Sequence, residues 1–233
     1  MPNLPTMPLN KADMKRCLAI WAEQPGASIS AVSTQTDLRR QRVSNAKQWA
    51  TLGNLLDSRG LTAEGKLALQ KDPYLEATVT DWLIHFFSSL SGRGLQPQPE
   101  GFAAWGIWTY FVYQFLPEHT TFTQVDLSQA ASKYFEKSKI DDRLKALLKT
   151  YTRGNAIANC NFLSQNDGHY TTGTPNLQNA YTVGYLLANI WQRDFGDHSS
   201  VLVSEILSEC FGSVTAFSKV RQLLQVPIFS FST

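Results

Sequence analysis

The sequence predicts a mainly α-helical protein built in two parts. Three observations lead there. Residues 10–72 read as three helices, a short hairpin and a fourth helix, with Gly and Pro at the breaks. From Tyr74 onward, strongly apolar helical runs alternate with turn-rich segments. In that larger part only NFLSQ-NDG-HYTT has two extended runs around an Asn-Asp-Gly turn, the signature of a β-hairpin.

Residues 1–9 carry three prolines and read as a loose leader. A first helix is expected over Lys11 to Glu23, where Met14, Cys17, Leu18 and Trp21 recur at helical spacing and Pro25-Gly26 stops the run. Ile29 to Gln35 forms a second helix with Ser28 as its cap. Thr36-Asp37 makes the turn, Asp37 is the expected N-cap of the next helix, and Leu38 to Leu52 is that third helix, ended by Gly53. Asn54 to Leu56 is a short strand that returns through Asp57–Gly60 into Leu61-Thr62, and a fourth helix begins at Thr62. This order is that of a winged helix-turn-helix over residues 10–72. Residues 73–233 form the α-helical domain, with helices over 74–90, 102–116, 125–135, 140–151, 181–191, 201–210 and 217–224. The Gly- and Pro-rich stretch 91–101 is a loop.

The third helix is the one that would meet DNA. Wound at about 100° per residue, Leu38, Val43, Ala46, Trp49 and Ala50 fall in a sector about 140° wide that would pack on the first two helices. The opposite face carries Arg40, Gln41, Ser44, Asn45, Lys47 and Gln48, side-chain types that pair with base edges and phosphates. Arg39 and Arg42, near the helix start, would clamp backbone phosphates, and Arg59 would sit at the tip of the wing. A polar, basic helix face is ordinarily just solvated, and winged helices also serve as protein-docking modules. The ordered run of elements is what favours the DNA reading over those two.

Composition is that of a globular chain: 233 residues, 43% hydrophobic, 17% charged and 12% aromatic. The net charge of +2 is unevenly spread. Residues 1–72 hold ten Lys/Arg against six Asp/Glu, a local +4, and the rest holds eleven against thirteen, or −2. A basic first third fits a nucleic-acid module joined to something else. The three cysteines, Cys17, Cys160 and Cys210, stand far apart without a C-x-x-C pair, so neither a disulfide framework nor a thiolate zinc site is expected. No signal peptide or membrane-length apolar run is read, and the expectation is a cytoplasmic protein.

Most of the chain also resembles a bacterial family known as domain of unknown function four thousand and seven. The matching pieces are RVSNAKQWATLGNLL, GLTAEGKLALQKDPYLEATVTDWLIHFF, NFLSQNDGHYTTGTPNLQNAYTVGYLLANIW and SVLVSEILSECFGSVTAFSKVRQLL. DPYLE with W-L-x-H is the most specific of them. The family's opening Arg-His-Glu-Thr-Phe-like motif is absent, and this sequence stops soon after VPIF. The resemblance implies a gene found beside phosphoadenosine-phosphosulfate-reductase-like enzymes and cysteine desulfurases, in islands for DNA sulfur modification and phage defence. It implies no chemistry for this chain, since a fold does not supply a function.

Few of the titratable residues stand at spacings that catalysis needs. The four histidines, His85, His119, His169 and His198, lack metal-ligand spacing, and Gly92-Arg93-Gly94 lacks the rest of a phosphate-binding loop. His85 lies on an apolar helix and reads as a core histidine. Asp141-Asp142 read as cap and dipole partners of the following helix. Cys160 and His169, flanking the hairpin, are the least improbable nucleophile and base, with nothing to orient them. The aromatic-rich run 102–115 has more large apolar side chains than one core-facing stripe needs, so one edge is expected to meet a partner or a second copy. The resulting expectation is a non-enzymatic subunit without metal or cofactor. It would bind double-stranded DNA and a protein partner of a modification or defence complex, positioning that enzyme on DNA or regulating its operon. The alternative is a protein-binding scaffold that uses the winged helix for docking.

Overall fold

The computed structural model describes residues 5–90, 106–174, 176 and 179–200. The described chain is mainly helical, with two small antiparallel sheets. Helix α1 (Lys11–Glu23) starts where the Asn10 side chain accepts the Asp13 N–H, and it buries Met14, Cys17, Leu18 and Trp21. Helix α2 (Ile29–Thr36) starts at Ser28, whose hydroxyl accepts the Ala31 N–H. Helix α3 (Arg40–Leu52) buries Val43, Ala46, Trp49 and Ala50, and Leu38 is buried just before it.

The turn between α2 and α3 departs from the sequence reading. Asp37 does not cap α3; it closes α2 in the left-handed conformation (φ 54°, ψ 29°), which Asp tolerates better than most residues. The Ser33 hydroxyl donates to the Leu38 carbonyl at 2.6 Å and ties the turn back to α2. Arg39 is left at the N-cap position of α3, with no side-chain cap bond.

Strands β1 (Leu56–Asp57) and β2 (Gly60–Leu61) pair in register Leu56 with Leu61 and Asp57 with Gly60. Helix α4 (Ala63–Lys71) follows, with the Thr62 hydroxyl accepting the Gly65 N–H at 3.0 Å. Gly65 lies so close to the hairpin that a Cβ there would stand 1.9 Å from the Leu55 carbonyl oxygen. The next helix, α5 (Thr78–Leu90), begins four residues later than Tyr74. The Asp72 carboxylate accepts the N–H groups of Glu76 and Ala77 and the Thr80 hydroxyl, which holds 72–77 as a turn with Leu75 at φ 56°.

The aromatic-rich run is not one uniform helix. Its described part winds as α6 (Ile107–Tyr110), widens to a π-turn at Phe111–Phe115, and tightens to a 3₁₀ turn at Leu116–Glu118. Ile107, Trp108, Tyr110, Phe111, Val112, Phe115 and Leu116 are all buried within the chain. Strand β3 (Thr121–Thr123) precedes α7 (Gln124–Ala131), which opens on a capping box between Thr123 and Asp126. Helix α8 (Lys137–Thr152) lies on α7, where the Ser128 hydroxyl donates to Asp141. Asp141 and Asp142 therefore lie inside α8, one turn beyond its start, and do not cap it. The expected hairpin is β4 (Leu163–Asn166) and β5 (His169–Thr172), turned at Asp167-Gly168 with φ 45° and 80°. β3 joins it to give the order β3-β5-β4. Helix α9 (Ala180–Asp194) starts at an Asn179 cap. The expected helices at 201–210 and 217–224, and residues 102–105, lie outside the described residues.

One continuous apolar core runs from Leu9 to Leu186. The contacts that cross from residues 10–72 to the rest are specific. Lys11 Nζ meets Asp81 at 2.8 Å with both side chains buried, and Trp49 meets Trp108 edge-on with ring centroids 5.0 Å apart. The leader adds a further tie, the Leu9 N–H donating to Thr150 Oγ1 at 3.1 Å. Among the described residues no helix is long and apolar enough to cross a membrane.

Candidate nucleic-acid interface

The outer side of α3 is built by subtraction. Its apolar arc is fixed in the core by Val43, Ala46, Trp49 and Ala50, so the residues between them must face out. Arg39, Arg40, Gln41, Lys47 and Gln48 are exposed and Ser44 is half-buried. Arg40, Ser44 and Lys47 follow one another at helical spacing along the middle of this face, with Gln41 and Gln48 along one edge. Among the described residues neither Arg39, Arg40 nor Lys47 is in an ion pair.

Two of the expected contact residues are engaged elsewhere. Asn45 is only 9% exposed and donates its amide to the Pro8 carbonyl at 3.2 Å. Its wheel position lies at the rim of the apolar arc, where the leader covers it, and the leader's path was not legible from α3 alone. Arg42 binds the buried Asp13 through Nε at 2.7 Å and through its second nitrogen at 2.5 Å. That fork joins α1 to α3 and turns the guanidinium away from the outer face, although the side chain keeps 44% exposure. Arg59 does sit at the hairpin tip, 90% exposed and 3.3 Å from Asp57. The Asp57 carboxyl is held below the usual carboxylate range chiefly by the Arg59 backbone N–H it accepts at 2.7 Å.

The residues considered for chemistry are not brought together. His169 pairs across from Asn166 beside the hairpin turn, and Cys160 precedes the far end, where Leu163 pairs with Thr172. Three strand residues at about 3.3 Å each separate those ends before the 3₁₀ turn holding Cys160 is reached. Cys160 is fully buried and burial pushes its thiol well up, whereas His169 is exposed. His85 is a core residue: its Nδ1 lies 2.7 Å from Tyr151 Oη, which also accepts the Trp108 indole N–H at 2.7 Å. Burial pulls its pKa down to about 3, so the ring is neutral and shares one hydrogen bond with the Tyr151 hydroxyl. Among the described residues no group of three or more His, Cys, Asp or Glu side chains could hold a metal ion.

An apolar groove that the sequence did not single out lies between α4, α5 and α9. Its volume is about 420 Å³, and Leu67, Val79, Leu83, Tyr181 and Tyr185 line it. Glu64 accepts the Tyr185 hydroxyl at its edge.

No family model matches the chain, and no curated protein matches it. Two solved structures do. The chain is similar to a magnesium ion-bound SspB crystal structure at 17% identity and a TM-score of 0.64, over 91% of this chain and 72% of that one. It is also similar to a second SspB crystal structure at 16% identity and a TM-score of 0.54, over 73% of this chain and 58% of that one. At such identities the likeness is one of fold.

Proposed function

We propose that this chain is a DNA-binding subunit that places a partner enzyme of a bacterial modification or defence system on duplex DNA. Residues 10–72 act as a winged helix-turn-helix, with α3 as the recognition helix and the β1–β2 hairpin as a short wing. The observation that supports this reading is the α3 outer face. Among the described residues Arg40 and Lys47 form no ion pair at its centre, Gln41, Ser44 and Gln48 surround them, and the helix is fixed by buried Trp49 and the Asp13–Arg42 fork. Cations supply phosphate contacts, while amides and hydroxyls on the same face can read base edges. The resemblance to a family of DNA sulfur-modification islands agrees with the setting, and the fold likeness to the SspB structures extends over most of the chain.

The test is a duplex-binding titration of the full chain against Arg40→Ala with Lys47→Ala. The double variant should lower the magnitude of the log K against log salt slope by about one to two, because each lost phosphate contact removes about 0.9. An unchanged slope would sink the α3 reading. A scaffold role has one observation in its favour, the apolar groove whose Tyr181 is 90% exposed and Leu67 55% exposed. In that reading purified chain would capture a protein partner and ignore DNA.

A further inference from the structure

We infer that Lys149 and Arg153, at the C-terminal end of α8, form a second phosphate-contacting strip that continues the α3 face across the leader. The inference rests on the DNA-binding reading of α3 and extends it to residues that no motif singled out. Both side chains are exposed, and among the described residues neither has an ion-pair partner.

The leader fixes how the two helices face. Its Met7 carbonyl accepts from Trp49 and its Pro8 carbonyl from Asn45, so it runs from the C-terminal half of α3 toward the N-terminal half. Its next residues meet α8 in the opposite sense. Leu9 donates to Thr150 and the Lys11 N–H donates to the Asn155 carbonyl, beyond the helix end. The leader is thus antiparallel to α3 and parallel to α8, which makes α3 and α8 antiparallel to each other.

Rotation about each axis then decides which side the cations occupy. Around α3, Gln48 and Ser44 lie about 60° and 100° from Asn45 at about 100° per residue. Around α8, Arg153 and Lys149 lie about 60° and 100° from Thr150, in the same rotational sense. In antiparallel helices that flank one strand, equal rotations of the same sense end on the same side of the molecule. Ser44 and Gln48 on one flank and Lys149 and Arg153 on the other therefore share a surface, with the leader between them, and Arg40 and Lys47 lie further round α3 in the same sense, about 140° and 160° from Asn45. Trp49, Trp108 and Tyr151 hold the two helices at this spacing, with neighbouring rings 5.0 and 5.5 Å apart.

Duplex DNA fits this arrangement. A helix in a major groove about 12 Å wide is flanked on both sides by phosphate ridges. A neighbouring helix one leader strand away meets such a ridge with cations, which need no sequence information. Lys149 and Arg153 would add affinity that does not depend on sequence.

The deciding experiment compares full-length wild type, Lys149→Ala with Arg153→Ala, and Arg40→Ala with Lys47→Ala on one mixed-sequence duplex and one unrelated duplex. The α8 pair should lower the slope magnitude by about two, equally on both duplexes. Its thermal melting should match wild type. If the α3 pair lowers the slope and the α8 pair leaves it unchanged, the strip is wrong and the α3 reading stands. If wild type itself binds duplex without salt dependence, both fall. Lys149→Arg with Arg153→Lys should restore the wild-type slope, and failure to do so would also count against the strip.

Discussion

The outer face of α3 and the interior around His85 use similar side-chain types to opposite ends. On α3, Arg40 and Lys47 stand exposed beside Gln41 and Gln48, and nothing in the described chain neutralises them. Inside, Lys11, Asp81, His85 and Cys160 are almost completely removed from water and are held by partners or left uncharged. A polar residue type alone therefore says little about role. Exposure without a partner marks a surface available to a ligand, whereas burial with a partner marks a group retained for structure.

The sharpest way to test the interior half of this comparison is to break its ion pair. Lys11→Ala leaves a buried carboxyl without its cation and should cost about 3–5 kcal/mol in urea denaturation. Replacing both partners, Lys11→Met with Asp81→Leu, should recover most of that loss. A double variant no better than the single would mean that the pair does more than neutralise itself.

Next in size is the contact between α4 and the hairpin. Gly65→Ala would bring its Cβ to 1.9 Å from the Leu55 carbonyl oxygen, so backbone must move. A loss of about 1–3 kcal/mol is expected, as for other overpacked sites. A denaturation midpoint within error of wild type would show that α4 can slide from β1 freely.

Two buried groups should give opposite pH dependences. Burial pulls His85 down to about 3 from its ordinary 6.5, so only the unfolded chain takes up that proton as pH falls below 6.5. Its stabilisation is present above pH 6.5 and is lost as pH falls toward 3. Burial, opposed by Lys11, pushes Asp81 up to about 6, so between pH 6 and 3.8 the folded chain holds a proton that the unfolded chain has lost. Its contribution is largest below pH 3.8 and is lost as pH rises through 6. The two slopes, each at most about 1.4 kcal/mol per pH unit, nearly cancel between pH 6 and 4. His85→Gln should therefore become more stable as pH falls over that range, and Asp81→Asn less stable. Parallel pH profiles for the two variants would contradict these assignments.

The smallest effect belongs to the exposed side. Arg40→Ala with Lys47→Ala should change stability by no more than about 0.5 kcal/mol, as for surface residues without partners. A larger loss would place these cations in the structural class after all.

Much of this was readable in advance, for reasons that lie in particular residues. The stripe Met14, Cys17, Leu18, Trp21 and the arc Val43, Ala46, Trp49, Ala50 repeat at the helical period, so α1 and α3 and their buried faces could be placed. Asp167-Gly168 encodes its own turn, so the β4–β5 hairpin could be placed too. What escaped depends on partners distant in sequence. Strand β3 is three residues long, too short to alternate, and exists because β5 lies beside it. Asn45 is covered by Pro8, and Arg42 is held by Asp13, across 37 and 29 residues. The aromatic-rich run 102–115 carries the expectation of an edge facing a partner; of its described side chains, Trp108 packs against Trp49 and Tyr151, and Phe111 against Phe122. An exposed apolar groove that no single stretch of sequence announces lies between α4, α5 and α9, assembled from three separate stretches of chain.

The central claim is that the outward cations of α3 meet duplex DNA, and one measurement addresses it most directly. Purified full-length chain is titrated with a duplex at salt concentrations from about 50 to 200 mM, the range over which counterion release is read. With about four to six phosphate contacts, log K should fall against log salt with a slope of about −4 to −5. A flat dependence, or no binding at about 50 mM salt, where phosphate contacts are strongest, would contradict it.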